Sequence, residues 1–473
     1  MKKLLAIVLS LILCTASLAG CGGGIDETKK KSAADNDDVV INVWSSEAGA
    51  QTVWEELVDN WNSTTGEEKN IFINWATHTD GQKIDVAEQN DQLPHIFGCS
   101  GTQLQKFIAK GSVIALNELP GGEEFLKEYG QDGQEGRNMI DGKQYSVYMN
   151  VRTSGLAYNK DLFKKAGIVD ENGEAKPPTT VSEVVEYAKK ITALEDGVYG
   201  FAFPLKFGLG YTVTSPMSTF YDGKTAETSQ AYLDLDKGTY DLSNYHEQYD
   251  WLFEMKEDGS LFPGAETLDN DTARAYFSSG IIGMIPAISW DVSVYNNQFK
   301  AECDWDVCKY PAPDGREEYQ QWSQLGGGMV IGRLAAERNP EETLEAYKFI
   351  YSLETRKTMF ERGINLSAKN DVLEIYDKDA VDPRFAKFAS FVDDTKRFAT
   401  KESVIEEGEK FGTLFQKVWM GEMTFDKALE TYSASYARDF KRTVEKGEYD
   451  IEREKRVRRY LQGEDGVDIS MTR

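Results

Sequence analysis

Residues 39–61 read VVINVWSSEAGAQTVWEELVDNW, in which an apolar run, a short polar break and a periodic apolar segment follow one another. The run from Val39 to Trp44 predicts a buried strand that ends at Ser45 and Ser46. The segment after the break predicts an amphipathic helix, because its apolar residues recur at helical spacing. These residues are Val53, Trp54, Leu57, Val58 and Trp61.

The alternation of strand and helix continues beyond this stretch. Residues 71–75 repeat the strand pattern, residues 81–91 are compatible with a helix, and Ile96-Phe97 leads into a helical pattern that ends at Gly111. Such alternation predicts parallel strands with crossover helices, and ligands of such sheets bind beyond the carboxyl ends of the strands. The expected ligand contacts therefore come directly after Trp44, Trp75 and Phe97.

The composition is that of a large, acidic, folded protein. The chain has 473 residues and 40% hydrophobic content, which predicts a sizeable core and about two or three domains. Acidic residues number 79 against 53 Lys and Arg, which gives a net charge of −26. Nucleic acid and anionic lipid surfaces need a basic footprint that this balance lacks. We therefore expect no nucleic acid partner.

The N-terminal residues have the pattern of an export signal. Lys2 and Lys3 precede the apolar run from Leu4 to Leu13, and Leu18-Ala19-Gly20 leads to Cys21. This predicts a signal peptide over residues 1–20. A Cys at that place resembles the bacterial lipoprotein signal, in which it carries acyl chains such as palmitate; an ordinary signal with an incidental Cys is the alternative.

Three further patterns bear on chemistry. The Gly-rich polar residues 21–38 predict a flexible tether. No Cys/His cluster has zinc spacing, and Gly326-Gly327-Gly328 lacks the surroundings of a phosphate loop, so we expect no metal and no nucleotide site. The pattern leaves open whether Cys303 and Cys308 form a disulfide or remain buried thiols.

Four stretches together resemble the extracellular solute-binding proteins of ATP-driven sugar importers, and are similar to maltodextrin-binding proteins. The chain carries them in the family order. They read DGKQYSVYMNVRTSGLAYNKDLFKKAGI (141–168), AYFSSGIIGMIPAISWD (275–291), GGGMVIGRLAAERNPEETLEAYKFIYSLE (326–354) and GEMTFDKALETYSASY (421–436).

The resemblance implies an α/β, two-lobed, type II periplasmic-binding-protein-like fold. Each lobe is expected to be a mostly parallel sheet flanked by helices, and the chain is expected to cross between the lobes three times. Lobe one is placed at residues 39–148 and 329–368, and lobe two at residues 150–325 and 372–473.

The resemblance also implies a function without catalysis. The protein is expected to be a monomer outside the cytoplasm, anchored to the bacterial membrane through Cys21. It would close its lobes on a sugar or oligosaccharide and deliver it to the permease of an ABC transporter. No cofactor is expected, because the partner uses the ATP. A secreted glycoside hydrolase and a binder of a non-sugar solute on this fold are the alternatives.

Candidate ligand contacts combine aromatic platforms with polar groups, because a sugar has apolar C–H faces and a ring of hydroxyls. Trp290 matches the stacking Trp of maltodextrin-binding relatives, and Glu47 is the foremost carboxylate. For each candidate, core packing or helix capping is the alternative. The candidate ligand-binding residues are Trp44, Ser46, Glu47, Trp75, Asp80, Ser100, Tyr148, Tyr211, Trp290, Asp291 and Trp322.

One region departs from the maltodextrin-binding pattern. The relatives carry an aromatic platform upstream of the C-terminal Gly-Glu segment, whereas residues 404–410 here read VIEEGEK. This difference argues against a long maltodextrin as the ligand.

Overall fold

The computed structural model describes most of the chain downstream of the predicted tether. It covers residues 38–78, 81–130, 133, 138–218, 220, 233–240, 242–317, 321–393, 395–398, 407–447, 449–452 and 455. The predicted signal peptide, Cys21 and all but the last residue of the predicted tether lie outside the described residues.

Strands and helices alternate along the described chain. The strands are β1 (Val39–Ser45), β2 (Ile71–Thr77), β3 (Ile96–Gly98), β4 (Val113–Ile114), β5 (Met139–Ile140), β6 (Lys143–Gln144), β7 (Asn150–Asn159), β8 (Tyr199–Phe201), β9 (Leu233–Asp234), β10 (Thr239–Tyr240), β11 (Ile282–Ile288), β12 (Trp305–Lys309), β13 (Gln321–Gly326), β14 (Met329–Gly332), β15 (Leu366–Ser367) and β16 (Thr395–Phe398).

The α-helices are α1 (Gln51–Trp61), α2 (Glu67–Lys69), α3 (Gly81–Gln89), α4 (Gly101–Lys110), α5 (Gly122–Tyr129), α6 (Lys160–Lys165), α7 (Val181–Thr192), α8 (Ser215–Ser218), α9 (Tyr245–Asp258), α10 (Asn270–Ser278), α11 (Asp291–Ser293), α12 (Arg333–Ala336), α13 (Pro340–Ile350), α14 (Leu353–Glu361), α15 (Pro383–Asp393), α16 (Phe411–Trp419) and α17 (Phe425–Glu445). Short 3₁₀ segments span Ala48–Ala50, Leu116–Glu118 and Asn370–Glu374, and π-helical turns span Asn62–Gly66, Gly210–Thr214 and Val294–Gln298.

The first lobe is built on a five-stranded sheet in the order β2-β1-β3-β14-β4. Strand β1 runs parallel to β2 and β3, and β14 runs antiparallel to β3 and β4. Helix α1 packs on this sheet with its buried face, as the apolar spacing predicts. That face consists of Trp54, Val58 and Trp61.

The second lobe is organised around the ten-residue strand β7. Strands β11 and β12 flank its second half, and β13 and β15 flank its first half; all four pairings are antiparallel. Strands β8 and β16 extend the sheet by parallel pairing. The prediction of a mostly parallel sheet is therefore wrong for this lobe. The pattern along one strand shows that it is buried, but it does not show which way its neighbours run.

Three chain segments pass side by side between the two lobes. The Met149 N–H donates to the Gly326 carbonyl at 3.1 Å, and the Ala368 N–H donates to the Met149 carbonyl at 3.0 Å. Gly327 has a φ of 69°, and a Cβ there would lie 2.8 Å from Asn150 Nδ2. Only glycine therefore fits this crossing without displacing its neighbour.

Two absences hold for the described residues. None of the helices in these ranges is both long and apolar enough to cross a membrane. Cys99, Cys303 and Cys308 are free thiols, so the pair left open by the sequence is not bonded in this structure.

Candidate ligand-binding cleft

A cavity of about 280 Å³ lies where the two lobes meet. Its walls come from the ends of β1 and β3 on lobe one, from the crossing segments, and from the facing ends of β7 and β13 on lobe two. The carboxyl ends of β1 and β3 open into it, as the sheet topology predicts. The lining residues are Ser46, Glu47, Trp54, Gly98, Cys99, Ser100, Gly101, Leu104, Asn138, Ser146, Tyr148, Met149, Arg152, Gln324, Leu325, Gly326, Gly327, Gly328, Met329 and Val330.

Glu47 supplies the carboxylate of this cavity and is held at both oxygens. Its Oε1 accepts a hydrogen bond from Asn150 Nδ2 at 3.0 Å, and its Oε2 accepts one from Trp54 Nε1 at 3.4 Å. Its backbone N–H donates to Ser45 Oγ at 3.1 Å. The carboxylate is half-buried and keeps lone pairs for further donors, such as ligand hydroxyls.

Trp75 lies behind the cavity wall, while the neighbouring Trp54 lines it. The two rings are stacked with centroids 4.3 Å apart and an interplanar angle of 25°. Trp54 is fully buried, and its indole N–H positions Glu47. This placement is that of a packing residue, which is the alternative to ligand contact named for Trp75 in the sequence analysis.

Ser46 and Ser100 both lie on the cavity wall and are exposed. Ser100 also caps α4, because its Oγ accepts from the Gln103 backbone N–H while the Gln103 side chain accepts from the Ser100 N–H. The Ser46 hydroxyl stands over Gly98, where a Cβ would lie 3.0 Å from it. Unlike the Ser100 hydroxyl, the Ser46 hydroxyl does not cap a helix.

Tyr148 brings an aromatic ring to the cavity at the first lobe crossing. It is half-buried, and its carbonyl accepts a hydrogen bond from Tyr129 Oη at 2.8 Å. That bond ties the crossing segment to α5 of lobe one. Tyr148 therefore lines the cavity beside the hinge.

Trp290 is half-buried and does not line the cavity, but it lies next to Arg152, which does. The Arg152 guanidinium carbon lies 5.6 Å from the centroid of the Trp290 ring, in a cation–π contact. Trp290 follows β11 and comes directly before α11. Its ring is thus connected to the cleft through Arg152.

Asp291 does not face the cleft, which corrects its prediction as a ligand contact. The carboxylate is buried and pairs with Arg274 through Oδ1, and Oδ2 accepts from the Ile288 N–H at 2.8 Å. Burial raises the pKa of Asp291, and the Arg274 charge opposes this shift. Its oxygens are occupied within lobe two, so it anchors the turn after β11.

Four candidates lie elsewhere or outside the described set. Trp44 is half-buried and makes an edge-on contact with His78 at 4.7 Å between ring centroids, and it does not line the cavity. Asp80 lies outside the described residues. So do the side chains of Tyr211 and Trp322, although their backbones belong to the π-helical turn Gly210–Thr214 and to β13.

Several cavity residues were missed by the sequence analysis. Arg152 lines the cavity, and Asn150 donates to Glu47 in it. The two residues lie on the same side of β7, because side chains of a strand alternate between its faces. Both stand within four residues of Tyr148, which the sequence analysis did select. The alternation of side chains after the crossing was the signal that could have identified them. Asn138, Ser146 and Gln324 carried no such signal.

The cavity can bind polar molecules, and its thiol is inert. Burial raises the pKa of Cys99 to about 12, so the sulfur stays protonated and is a poor nucleophile at neutral pH. Among the described residues, no group of three or more His, Cys, Asp or Glu side chains is placed to hold a metal ion. What remains is a set of hydrogen-bonding groups beside aromatic rings.

The pattern of the bacterial extracellular solute-binding proteins matches residues 44–357. The chain belongs to this family. The resemblance seen in the four sequence stretches is therefore confirmed, and the family consists of binding proteins, not enzymes.

Two characterised relatives share part of the sequence. The chain is 28% identical over 173 residues to the diacetylchitobiose binding protein DasA of Streptomyces coelicolor, and 28% identical over 253 residues to the sn-glycerol-3-phosphate-binding protein UgpB of Brucella abortus. These regions are 36% and 51% of this chain. The chain spans 39% and 55% of the length of these relatives.

Solved structures share the fold at lower identity. RafE from Streptococcus pneumoniae in its apo form superposes with a TM-score of 0.65 and 18% identity, over 85% of this chain and 98% of that one. The maltotriose-bound MalE domain from Bdellovibrio bacteriovorus gives 0.62 and 17%, over 86% and 100%. The solute-binding protein therefore has the type II periplasmic-binding-protein fold.

Proposed function

We propose that this protein captures a sugar or oligosaccharide in the cleft between its lobes and delivers it to the permease of an ABC importer. The observation that carries the proposal is the composition of the cavity. A carboxylate, amides and hydroxyls stand beside the ring of Tyr148, and Trp290 lies against the lining residue Arg152, which suits a molecule with hydroxyl edges and apolar faces.

The names of similar proteins support a sugar as the ligand. One relative is named for binding diacetylchitobiose, and structures of the same fold hold raffinose and maltotriose. The cavity, at about 280 Å³, lies near the lower end of the roughly 300–1000 Å³ typical of small-molecule sites. Together with the acidic residues 404–410, this size favours a short saccharide over a long maltodextrin.

Lobe closure is the proposed mechanism of capture. The three crossings joined at Met149 form a narrow connection about which the lobes can rotate, and Glu47 and Asn150 lie directly beside it. A ligand that contacts both lobes stabilises the closed form, because it gains contacts there that the open form lacks. The permease would then recognise the closed outer surface.

A thermal-shift screen with mono- and oligosaccharides tests the proposal. A ligand bound only by the folded protein raises the melting temperature, by an amount that grows with its concentration relative to Kd. The best ligand should then be recovered intact after long incubation. A screen without any shift, or turnover of the ligand by purified protein, would contradict a sugar carrier.

A non-sugar solute is the second candidate, because one relative is named for binding sn-glycerol 3-phosphate. That compound belongs in the same screen. A shift with glycerol phosphate and with no saccharide would favour this alternative.

We propose further that Cys21 anchors the protein to the membrane outside the cytoplasm. The support is Leu18-Ala19-Gly20 directly before it, and acylation adds about 0.8 kcal/mol of membrane binding per buried methylene. Cys21→Ala should leave an unprocessed precursor or release folded protein from membranes. Normal processing with unchanged membrane retention would contradict the anchor.

A further inference from the structure

We infer that Arg152 recognises an anionic group of the ligand, so that the solute is an acidic saccharide. This inference rests on the proposed function and specifies its substrate class. It follows from the state of the arginine, from its position in the cleft, and from the way the neighbouring carboxylate is held.

Arg152 is a cleft arginine without an ionic partner among the described residues. It is half-buried and lines the cavity, yet within the described part of the chain its guanidinium makes neither an ion pair nor a hydrogen bond. Its contact there is a cation–π contact with the Trp290 ring. This contact does not use the N–H groups that point outward in the plane of the guanidinium. The edge of the guanidinium therefore keeps its donors for another molecule.

Four other arginines among the described residues are buried or half-buried and are neutralised. Each of them forms an ion pair with an aspartate. These pairs are Arg274 with Asp291, Arg356 with Asp371, Arg384 with Asp382, and Arg442 with Asp439. In a chain with 79 acidic residues, an arginine in the ligand cleft without such a pair stands apart.

The strand neighbours of Arg152 do not neutralise it. A Cβ added at Gly326, on the paired strand, would lie 3.6 Å from Arg152 Nε and 3.7 Å from its Cζ, so the guanidinium lies close to the backbone there. Gln324 is its partner in the strand register and is uncharged. Neither neighbour supplies a negative charge to the guanidinium.

Glu47 does not neutralise Arg152, although both line the cavity. The carboxylate accepts from Asn150 and from Trp54, and it lies beyond ion-pair distance of the guanidinium. The cavity therefore presents a carboxylate and a guanidinium that do not form an ion pair with each other. A saccharide that carries a carboxylate or a phosphate as well as hydroxyls matches this pair of groups, since planar guanidinium binds such anions through paired hydrogen bonds.

Calorimetric titration with matched ligands tests the inference. The probes are glucose with glucuronate, galactose with galacturonate, and α-1,4-linked galactobiose with digalacturonate. Glucose 6-phosphate and sn-glycerol 3-phosphate distinguish a phosphate from a carboxylate as the source of the charge. We expect the acidic member of the best-binding pair, or the phosphate ester, to bind at least about tenfold more tightly than the neutral sugar.

The variants are Arg152→Gln and Arg152→Lys, with Arg362→Gln as the control. Arg362 is exposed and pairs with Glu56 outside the cavity, so its substitution removes the same charge elsewhere. Arg152→Gln should weaken binding of the acidic ligand about ten- to hundredfold more than binding of its neutral counterpart, while Arg152→Lys should retain part of the preference. The control should match the wild type.

The outcomes separate this inference from the proposed function. Neutral sugars that bind at least as tightly as their acidic counterparts would overturn the inference and leave sugar capture intact. A preference for the acid that survives in Arg152→Gln would overturn the role of this residue. Absence of binding to every probe and to a wider saccharide panel would overturn the proposed function itself.

Discussion

Glu47 accepts a hydrogen bond from Asn150 through Oε1 and Nδ2, at 3.0 Å. The bond connects the end of the first strand of lobe one to the first residue of β7, where the chain enters lobe two. The same carboxylate accepts from Trp54. A ligand that contacts Glu47 therefore contacts a group already linked to the hinge.

Substitution of Glu47 should impair ligand binding. Glu47→Gln removes the charge and replaces one acceptor with an amide donor, and hydrogen bonds to charged groups contribute about 1.5–3 kcal/mol. We expect affinity for the ligand to fall about ten- to a hundredfold by calorimetry. Glu55→Gln, an exposed change in α1, is the control. If Glu47→Gln unfolds more easily but binds the ligand with unaltered affinity, the role of Glu47 is structural only.

Trp290 should contribute stacking to ligand affinity. Loss of an aromatic contact removes about 0.5–1.5 kcal/mol beyond area burial, to which lost burial at about 25 cal/mol per Å² is added. Trp290→Ala should therefore weaken binding by roughly 2–4 kcal/mol, or about 30- to 1000-fold. Trp44→Ala is the matched variant, because this half-buried tryptophan contacts His78 and not the lining residue Arg152. If Trp290→Ala is destabilised but binds normally, the ring serves packing alone.

Asp291 should matter for stability and not for affinity. Asp291→Ala leaves the Arg274 guanidinium buried without its inner partner, and breaking a buried pair costs about 3–5 kcal/mol. Urea unfolding should show this loss, whereas Asp271→Ala should have a small effect because Asp271 is exposed. If folded Asp291→Ala lost ligand affinity but kept its stability, Asp291 would be a ligand contact after all.

His246 should give the protein a pH-dependent stability near neutrality. Burial would lower its pKa, but the hydrogen bond to Asp426 and the charge of Asp250 raise the pKa above the ordinary 6.5. Because the folded protein holds the proton more tightly, the contribution is complete below the unfolded pKa and is lost as pH rises through the folded one.

Thermal unfolding of His246→Gln tests this sign. The variant should lose more stability relative to the wild type at about pH 6 than at about pH 8.5, because the wild-type advantage is present only while the imidazole is charged. The reverse order, or a difference independent of pH, would contradict the assignment.

Local features of the fold were predictable from the sequence. The apolar run 39–44 corresponds to β1, and the helix expected after it is α1. Thr180 caps α7 through a 3.3 Å hydrogen bond from the Glu183 N–H, and α13 begins at Pro340, because both signals act within one helical turn. The strand direction in lobe two was not predictable, since it depends on pairing between distant segments.

The positions of three candidate site residues were predictable, because these residues directly follow the ends of strands. Ser46, Glu47 and Ser100 follow strands whose carboxyl ends meet at the cavity. The prediction of Asp291 as a ligand contact was wrong. A carboxylate beside a tryptophan has the same local sequence pattern whether it faces the cleft or pairs with a distant arginine, here Arg274. Arg152 follows Tyr148 at strand spacing and could have been predicted, whereas Asn138, Ser146 and Gln324 reach the cavity through the lobe geometry, and no local motif marks them.

Filling the cleft tests the central claim that a saccharide binds between the lobes. Ser46 is exposed and lines the cavity, so Ser46→Trp should occupy the ligand space without disturbing the core, whereas Ser390→Trp alters an exposed position of α15 outside it. The measurement is calorimetric titration with the saccharide that most stabilises the wild type. We expect equal one-to-one binding for the wild type and Ser390→Trp, and no measurable binding for a folded Ser46→Trp. Wild-type affinity in Ser46→Trp would contradict the central claim.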